Sequence, residues 1–259
     1  MYDGLSVERR GPVLVVTINR PDRMNAFSQE IYDGLLESWT SLADDTSVRS
    51  IVVTGAGNRA FCTGMDLKAV VERGGPRPLK PNVHEEMTVT PLNCDIWLPT
   101  IVAVNGVCTG AGLHFIADAD LVVASSTASF LDTHVSVGQV AAVEPITLLP
   151  RIGLGNALRL TVLGRHGRIG AQEALRIGLV DEVVEPGQLQ TRALELAEQA
   201  ASGSPAAIEA SKRAIRGALE VPMREAMQAG WELLLAHRQH PDSIEGPRAF
   251  AEKREALWQ

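Results

Sequence analysis

Three stretches of this chain constrain its fold more than anything else. SIVVTGAG (50–57), TIVAVNG (100–106) and DLVVAS (120–125) are apolar, β-branched runs, and the first two end in glycine. A strand that is apolar on both faces belongs in a parallel sheet covered from both sides. Helical patterns lie between the runs, so the repeat reads β-then-α and gives an α/β core. GPVLVVTINRP (11–21) is a further strand, closed by Arg-Pro. Ser28 caps a helical pattern in which Ile31, Leu35, Leu36, Trp39 and Leu42 share a face. Beyond about residue 143 helical patterns dominate, over 154–163, 171–177, 186–202, 205–219, 222–238 and 242–256, with one short strand at 178–184.

A chain of 259 residues suits one large domain, or a domain with an appendage. The pattern divides it into an α/β core over 1–195 and a helical region over 196–259, which the apolar Trp231, Leu233, Leu234 and Leu235 mark for oligomerisation. A net charge of −7 argues against a nucleic-acid surface, so an anionic ligand must be met by local basic residues. No apolar run approaches the ~18–20 residues of a membrane span, and the N-terminus lacks a cleavable signal pattern. Cys62, Cys94 and Cys108 are odd in number and lack metal-type spacing, which fits a reduced, cytoplasmic protein that holds no metal. Residues 73–91, with four prolines and two glycines, read as a loop that shapes a binding tunnel.

TGAGLHFIADAD (109–120) raises the functional question. Small residues open a buried helix, and one turn in stands His114, where packing alone favours another leucine. NRPDRMNA (19–26), AFCTGMDL (60–67), AVNGVCTGAGLHFIADADLVVAS (103–125), GRIGAQEALRIGLVDEVV (167–184) and AFAEKR (249–254) follow in this order. Together they resemble the crotonase superfamily, also called the enoyl-CoA hydratase/isomerase family, over roughly residues 10 to 258.

The resemblance implies a crotonase-like α/β spiral of ββα units with a helical C-terminal trimerisation region, in a homotrimer or homohexamer. It implies an acyl-CoA thioester substrate, with coenzyme A arriving as part of it and no separate cofactor. By motif position, the backbone N–H groups of Met65 and Ala111 hold the thioester oxygen. Two preorganised amide donors suit the negative charge that an enolate places there. Ala60, Gly64, Asp66, Leu67 and Gly110 surround them, and Asp66 also reads as a helix cap. Arg20, Arg23 and Lys68 are the local cations for CoA phosphates, and Phe250 and Lys253 reach the CoA of a neighbouring subunit. Cys62 reads as a small buried thiol rather than a nucleophile, and His84 as a loop residue.

The family's hydratases work with two glutamates, one a base on water and the other an acid at the α-carbon. Register places His114 and His134 at those two addresses. Each imidazole can serve as acid or base near neutral pH. Asp132, two residues before His134, shares its face if 130–134 is extended, and then orients the ring. Some hydrolases of the superfamily, which split carbon–carbon bonds of 1,3-diketones, carry a histidine at this address and an acid about nine residues later. Here the ninth residue is Val143 and the tenth is Glu144, where a helix can start. The leading expectation is therefore an enolate-stabilising enzyme of the enoyl-CoA hydratase/isomerase type that works through His114 and His134. C–C hydrolysis of 3-oxoacyl or diketone substrates is the alternative, and a non-catalytic acyl-CoA-binding subunit the third.

Overall fold

The computed structural model describes residues 2–75 and 77–259. In chain order its strands and helices begin β1 (Leu5–Arg10), β2 (Val13–Ile18), α1 (Gln29–Thr40), β3 (Ser50–Gly55), β4 (Ala60–Cys62), α2 (Leu67–Glu72) and α3 (Val83–Glu86). They continue with β5 (Thr100–Val104), β6 (Val107–Cys108), α4 (Gly112–Asp118), β7 (Leu121–Ser125), β8 (Ser129–Phe130) and α5 (Val143–Leu163). The chain closes with β9 (Ile169–Gly170), α6 (Ala171–Arg176), β10 (Glu182–Val184), α7 (Leu189–Ala201), α8 (Pro205–Gly217), α9 (Met223–His237) and α10 (Asp242–Glu252).

The larger sheet runs β1-β2-β3-β5-β7-β10, parallel throughout except for the β1–β2 hairpin. The apolar strands explain the layering. Ile51 and Val53 of β3 join one core, beneath Ile31, Leu35 and Trp39 of α1. Val52 faces the other way and packs with Leu189, Ala193 and Ala197 of α7. The Trp39 Nε1–H donates to Val89 O at 2.9 Å and so ties α1 to the end of the 73–91 loop. Pro76 of that loop lies outside the described residues.

Four departures from the sequence reading have physical causes. LSVERR (5–10) forms edge strand β1, where all but Leu5 are exposed, so no apolar alternation marks it. A second sheet, β4-β6-β8-β9, is built from strands of two or three residues, too short for a period. The helix expected at 154–163 is formed, but it is not separate from the helix that starts beside Glu144, since the two run on as α5 (from Val143) across a break at Gly153 (φ 69°, ψ 166°). The division at 195/196 falls inside the unbroken helix α7, which packs on the sheet, so the helical region starts at α8.

That region is pinned to the core by polar contacts. Lys212 Nζ of α8 donates to Leu98 O at 2.8 Å and Asp120 Oδ2 at 2.6 Å. Arg216 of the same helix donates to Ala119 O at 3.3 Å, and within the region Ser204 caps α8 and donates to Asp242 Oδ2 of α10 at 2.5 Å. Among the described residues, no helix is long and apolar enough to cross a membrane.

Candidate active site

The small sheet sets two turns side by side. Cys62 of β4 pairs in register with Cys108 of β6, and the strands run parallel. The chain leaves β4 through Gly64 and β6 through Gly110, both with positive φ (79° and 54°). A Cβ on Gly64 would stand 3.3 Å from Gly110 Cα and 3.4 Å from Ala111 N, and one on Gly110 would stand 3.2 Å from Gly64 Cα. Only glycine permits both this backbone and this approach. The Met65 and Ala111 amides therefore sit on adjoining turns, and neither donates to a backbone carbonyl among the described residues.

Phe27 fixes the Met65 peptide from the other side. Its N–H donates to Gly64 O at 2.7 Å, and its carbonyl accepts from Asp66 N at 3.1 Å. Asp66 caps α2, accepting from Lys68 N at 3.2 Å and Ala69 N at 3.3 Å. Cys62 is fully buried, and burial pushes its thiol up to about 12, which removes it as a nucleophile.

Beside the turns four titratable side chains form a chain. His114 Nε2 lies 3.2 Å from Glu144 Oε1, and His134 Nε2 lies 3.6 Å from the same oxygen. His134 Nδ1 is 2.8 Å from Asp132 Oδ1, which also accepts the His134 backbone N–H at 2.9 Å. The His114, Glu144 and Asp132 side chains are 2–10% exposed and that of His134 is 26%, so His134 is the member most open to a ligand. The other oxygen of Asp132, Oδ2, is buried without a partner among the described residues.

Each member has a local reason for its position. α4 buries His114 among Leu113, Phe115 and Ile116. Glu144 occupies the first turn of α5, where the helix dipole favours a carboxylate. The sequence reading made the Asp132–His134 contact conditional on an extended 130–134 segment, and the segment does not stay extended through His134. β8 ends at Phe130, and His134 is helical (φ −53°, ψ −54°), so a turn rather than a pleat brings Asp132 to the ring.

The electrostatics separate the members of the chain. The Asp132 hydrogen bond raises the His134 pKa against the opposing effect of burial, with help from the charges of Glu144 and Asp132. Burial pushes Glu144 up, but the His114 hydrogen bond and the charges of both histidines outweigh it and hold the carboxyl below its ordinary value. At neutral pH the site presents an ionised Glu144 between two imidazoles, with His134 favoured as the proton carrier.

The candidate CoA cations divide. Arg20 donates to Ala26 O at 2.8 Å and to Asp66 Oδ2 at 3.3 Å, so its guanidinium has internal partners. Arg23, Lys68 and Leu67 are exposed. Ala60 is buried, and its carbonyl accepts from Asn25 Nδ2 at 2.7 Å and Asn105 Nδ2 at 2.9 Å. Phe250 and Lys253 are exposed at the end of α10.

Two residues of the site escaped the sequence reading. Asn25, fully buried at φ 55°, joins three loops by accepting from Arg20 N and donating to Ala56 O and Ala60 O. Its signal was its place in the NRPDRMNA motif (19–26), just before the apolar Ala26-Phe27. Tyr32 lies one place off the Ile31–Leu35 stripe and packs edge-on against Phe27, with ring centroids 5.0 Å apart.

Comparison with known proteins agrees with this architecture. The sequence profile described as enoyl-CoA hydratase/isomerase matches residues 8–259. The chain is 34% identical over 254 residues to an (E)-benzylidenesuccinyl-CoA hydratase of Thauera aromatica, covering 96% of each chain. It is 35% identical over 263 residues to a carnitinyl-CoA dehydratase of Escherichia coli, covering 100% of this chain and 99% of the relative. The crystal structure of an enoyl-CoA hydratase/isomerase from Mycobacterium paratuberculosis superposes with a TM-score of 0.91 at 37% identity, covering 100% of this chain and 99% of that one.

Proposed function

This chain belongs to the enoyl-CoA hydratase/isomerase family, and from that premise we propose that it adds water to, or removes it from, the α,β-bond of an acyl-CoA thioester, with Glu144 supplying the carboxylate that His114 and His134 displace. The observation that carries this reading is the meeting of Glu144 Oε1 with both imidazoles. A carboxylate from α5 reaches the position between two addresses that no longer hold one.

In the hydration direction, Glu144 takes a proton from water and the water oxygen bonds to the β-carbon. The π electrons pass through the α-carbon to the thioester oxygen, which the Met65 and Ala111 N–H groups stabilise. His134 Nε2–H then protonates the α-carbon, and the Glu144 proton returns to His134 across their contact. One water is added and the site is restored. Groups whose pKa values are driven apart divide into acid and base in this way. Each proton-transfer group accounts for roughly 10²–10⁴ in rate, and each amide donor for about 3–4 kcal/mol of barrier.

A second reading has its own observation. Asp132 accepts at Nδ1 of His134, which leaves Nε2 as a base whenever the ring is neutral. His134 then activates water toward the 3-oxo carbon of a 3-oxoacyl ester, and the C–C bond breaks to an enolate held at the same two amides.

The reading extends to assembly. Met223, Met227, Trp231, Leu234 and Leu235 leave an exposed apolar surface along α9, which supports a trimer or hexamer in which Phe250 and Lys253 meet a neighbour's CoA. A monomer mass by light scattering contradicts that.

Incubation in heavy water with saturated, 2-enoyl and 3-oxoacyl-CoA esters, read by mass, tests the chemistry. Water addition to an enoyl ester is expected. Cleavage of a 3-oxo ester moves the hydrolytic reading to first place. Binding with no mass change in any ester contradicts both and leaves a non-catalytic acyl-CoA-binding subunit.

A further inference from the structure

The proton-transfer scheme needs two parts of the site in register. The enolate oxygen rests on the Met65 and Ala111 amides, and the α-carbon is two bonds from that oxygen, so the amides fix where it stands. His134 Nε2 has to be aimed at that place. The two parts belong to different segments. Ala111 follows the Gly110 turn after β6, and His134 follows the turn after β8.

Little else fixes the spacing of these segments. Residues 135–140 are all exposed, so burial does little to hold the chain after His134. Ser136 accepts from Arg165 N at 2.9 Å, which ties that chain to the end of α5 rather than to the amides. The Asp132–His134 contacts lie within one turn and move with it. Glu144 bridges His134 to His114, but its charge changes during the reaction, so that link alters at the step where position counts. Among the described residues, two hydrogen bonds run directly between 108–112 and 131–134. Leu131 N donates to Cys108 O at 3.2 Å, and the Thr109 and Thr133 hydroxyls meet at 3.3 Å, Oγ1 to Oγ1.

Both threonines stand where such a contact acts on the chemistry. Thr109 is 5% exposed and immediately precedes Gly110. Its N–H donates to Cys62 O at 3.0 Å and its carbonyl accepts from Gly112 N at 3.2 Å, so it is built into both oxyanion turns. Thr133 lies between Asp132 and His134, and among the described residues neither hydroxyl has another partner. A misplacement of about 1 Å between reacting groups can cost roughly 10² in rate. We infer that Thr109 and Thr133 are positioning residues, whose hydroxyl pair sets the distance between the oxyanion amides and His134. This rests on the acyl-CoA reading above and deepens it. Neither threonine touches a reacting atom in the scheme. Thr109 acts through the Gly110–Ala111 turn, and Thr133 through His134.

The test is a double-mutant cycle on the CoA ester that the wild type turns over, with butyryl-CoA as the binding probe. Thr109→Val and Thr133→Val keep a branched side chain and remove the hydroxyl. Each is expected to lower kcat roughly 5- to 20-fold while the Kd of butyryl-CoA stays within about twofold. The solvent deuterium isotope effect on kcat is expected to rise, because the slowed step moves a proton through His134. The double variant is expected to be no slower than the slower single one, since the same contact is lost in all three. Thr133→Ser, which keeps the hydroxyl, is expected to recover most of the rate. The comparison of Thr133→Val with Thr133→Ser stands by itself if the buried Thr109→Val does not fold. A kcat that Thr133→Val leaves unchanged, additive losses, or a Kd that rises as much as kcat falls overturns the inference while leaving the acyl-CoA reading intact. A wild type that turns over no ester overturns both.

Discussion

His114 on α4 and Glu144 on the first turn of α5 meet at 3.2 Å, Nε2 to Oε1. Both side chains are nearly closed to solvent, so their interaction is weakly screened, and either one left alone is costly. This contact explains how a titratable ring is tolerated on an apolar helix face. It also makes the pair's stability pH-dependent in a definite direction.

His114→Leu is expected to destabilise the protein at pH 7 by on the order of 2–4 kcal/mol, because it removes the nearer and more buried partner of a buried carboxylate. Glu144 is held below its ordinary value of 4.5 in the folded protein. Its contribution is therefore present above that value and is lost as pH falls through the lowered one. The gap between wild type and variant in urea unfolding is full at neutral pH and closes in acid. A gap that persists unchanged in acid contradicts the pairing.

Asp132→Asn removes the main cause of the raised His134 pKa. If His134 is the acid in hydration, the rate falls as pH rises through that pKa, and the variant moves this limb to lower pH. If His134 is a neutral base in C–C hydrolysis, the limb has the opposite slope and also moves to lower pH. The pH profile of kcat thus separates the two reactions, and a limb that Asp132→Asn leaves in place excludes His134 from both.

Gly110→Ala places a methyl group 3.2 Å from Gly64 Cα on a residue with φ 54°. The turn must shift, and the Ala111 amide shifts with it. The expected losses are about 1–2 kcal/mol of stability and roughly 10²–10³ in kcat. Equilibrium unfolding and kinetics on the same preparation check both. Lost stability with an unchanged kcat contradicts the role given to Ala111.

Arg20 and Arg23, three residues apart in one motif, are expected to fail differently. Arg20→Ala removes the contacts to Ala26 O and Asp66, so it lowers Tm. Arg23→Ala leaves Tm unchanged and raises KM for the CoA ester, by more at low salt, where an exposed cation is least screened. Identical behaviour of the two variants refutes this division.

The sequence is legible where burial is complete on both faces. β3, β5 and β7 read as apolar runs because both faces of their central residues are buried, with polar side chains confined to the strand ends at Ser50, Thr54, Thr100 and Ser125. β1 is an edge strand with charged side chains and carries no such signature. His114, His134, Asp132 and Glu144 were all identifiable as candidates. Their arrangement was not, because it depends on a turn after Phe130 and on how closely α4 and α5 approach, which no periodicity encodes. Tyr32 was invisible for a related reason. Its place is set by the Phe27 contact and the Arg77 loop, which no helical period encodes.

The central claim is that Glu144 supplies the missing carboxylate, and Glu144→Gln tests it most directly. The substitution keeps the shape and a partner for His114 while removing the base. The measurement is kcat for water addition to the enoyl-CoA ester that the wild type hydrates, alongside the Kd of the same ester. The account predicts a kcat lower by roughly 10²–10⁴ with Kd unchanged. A Glu144→Gln enzyme that turns over at the wild-type rate contradicts it.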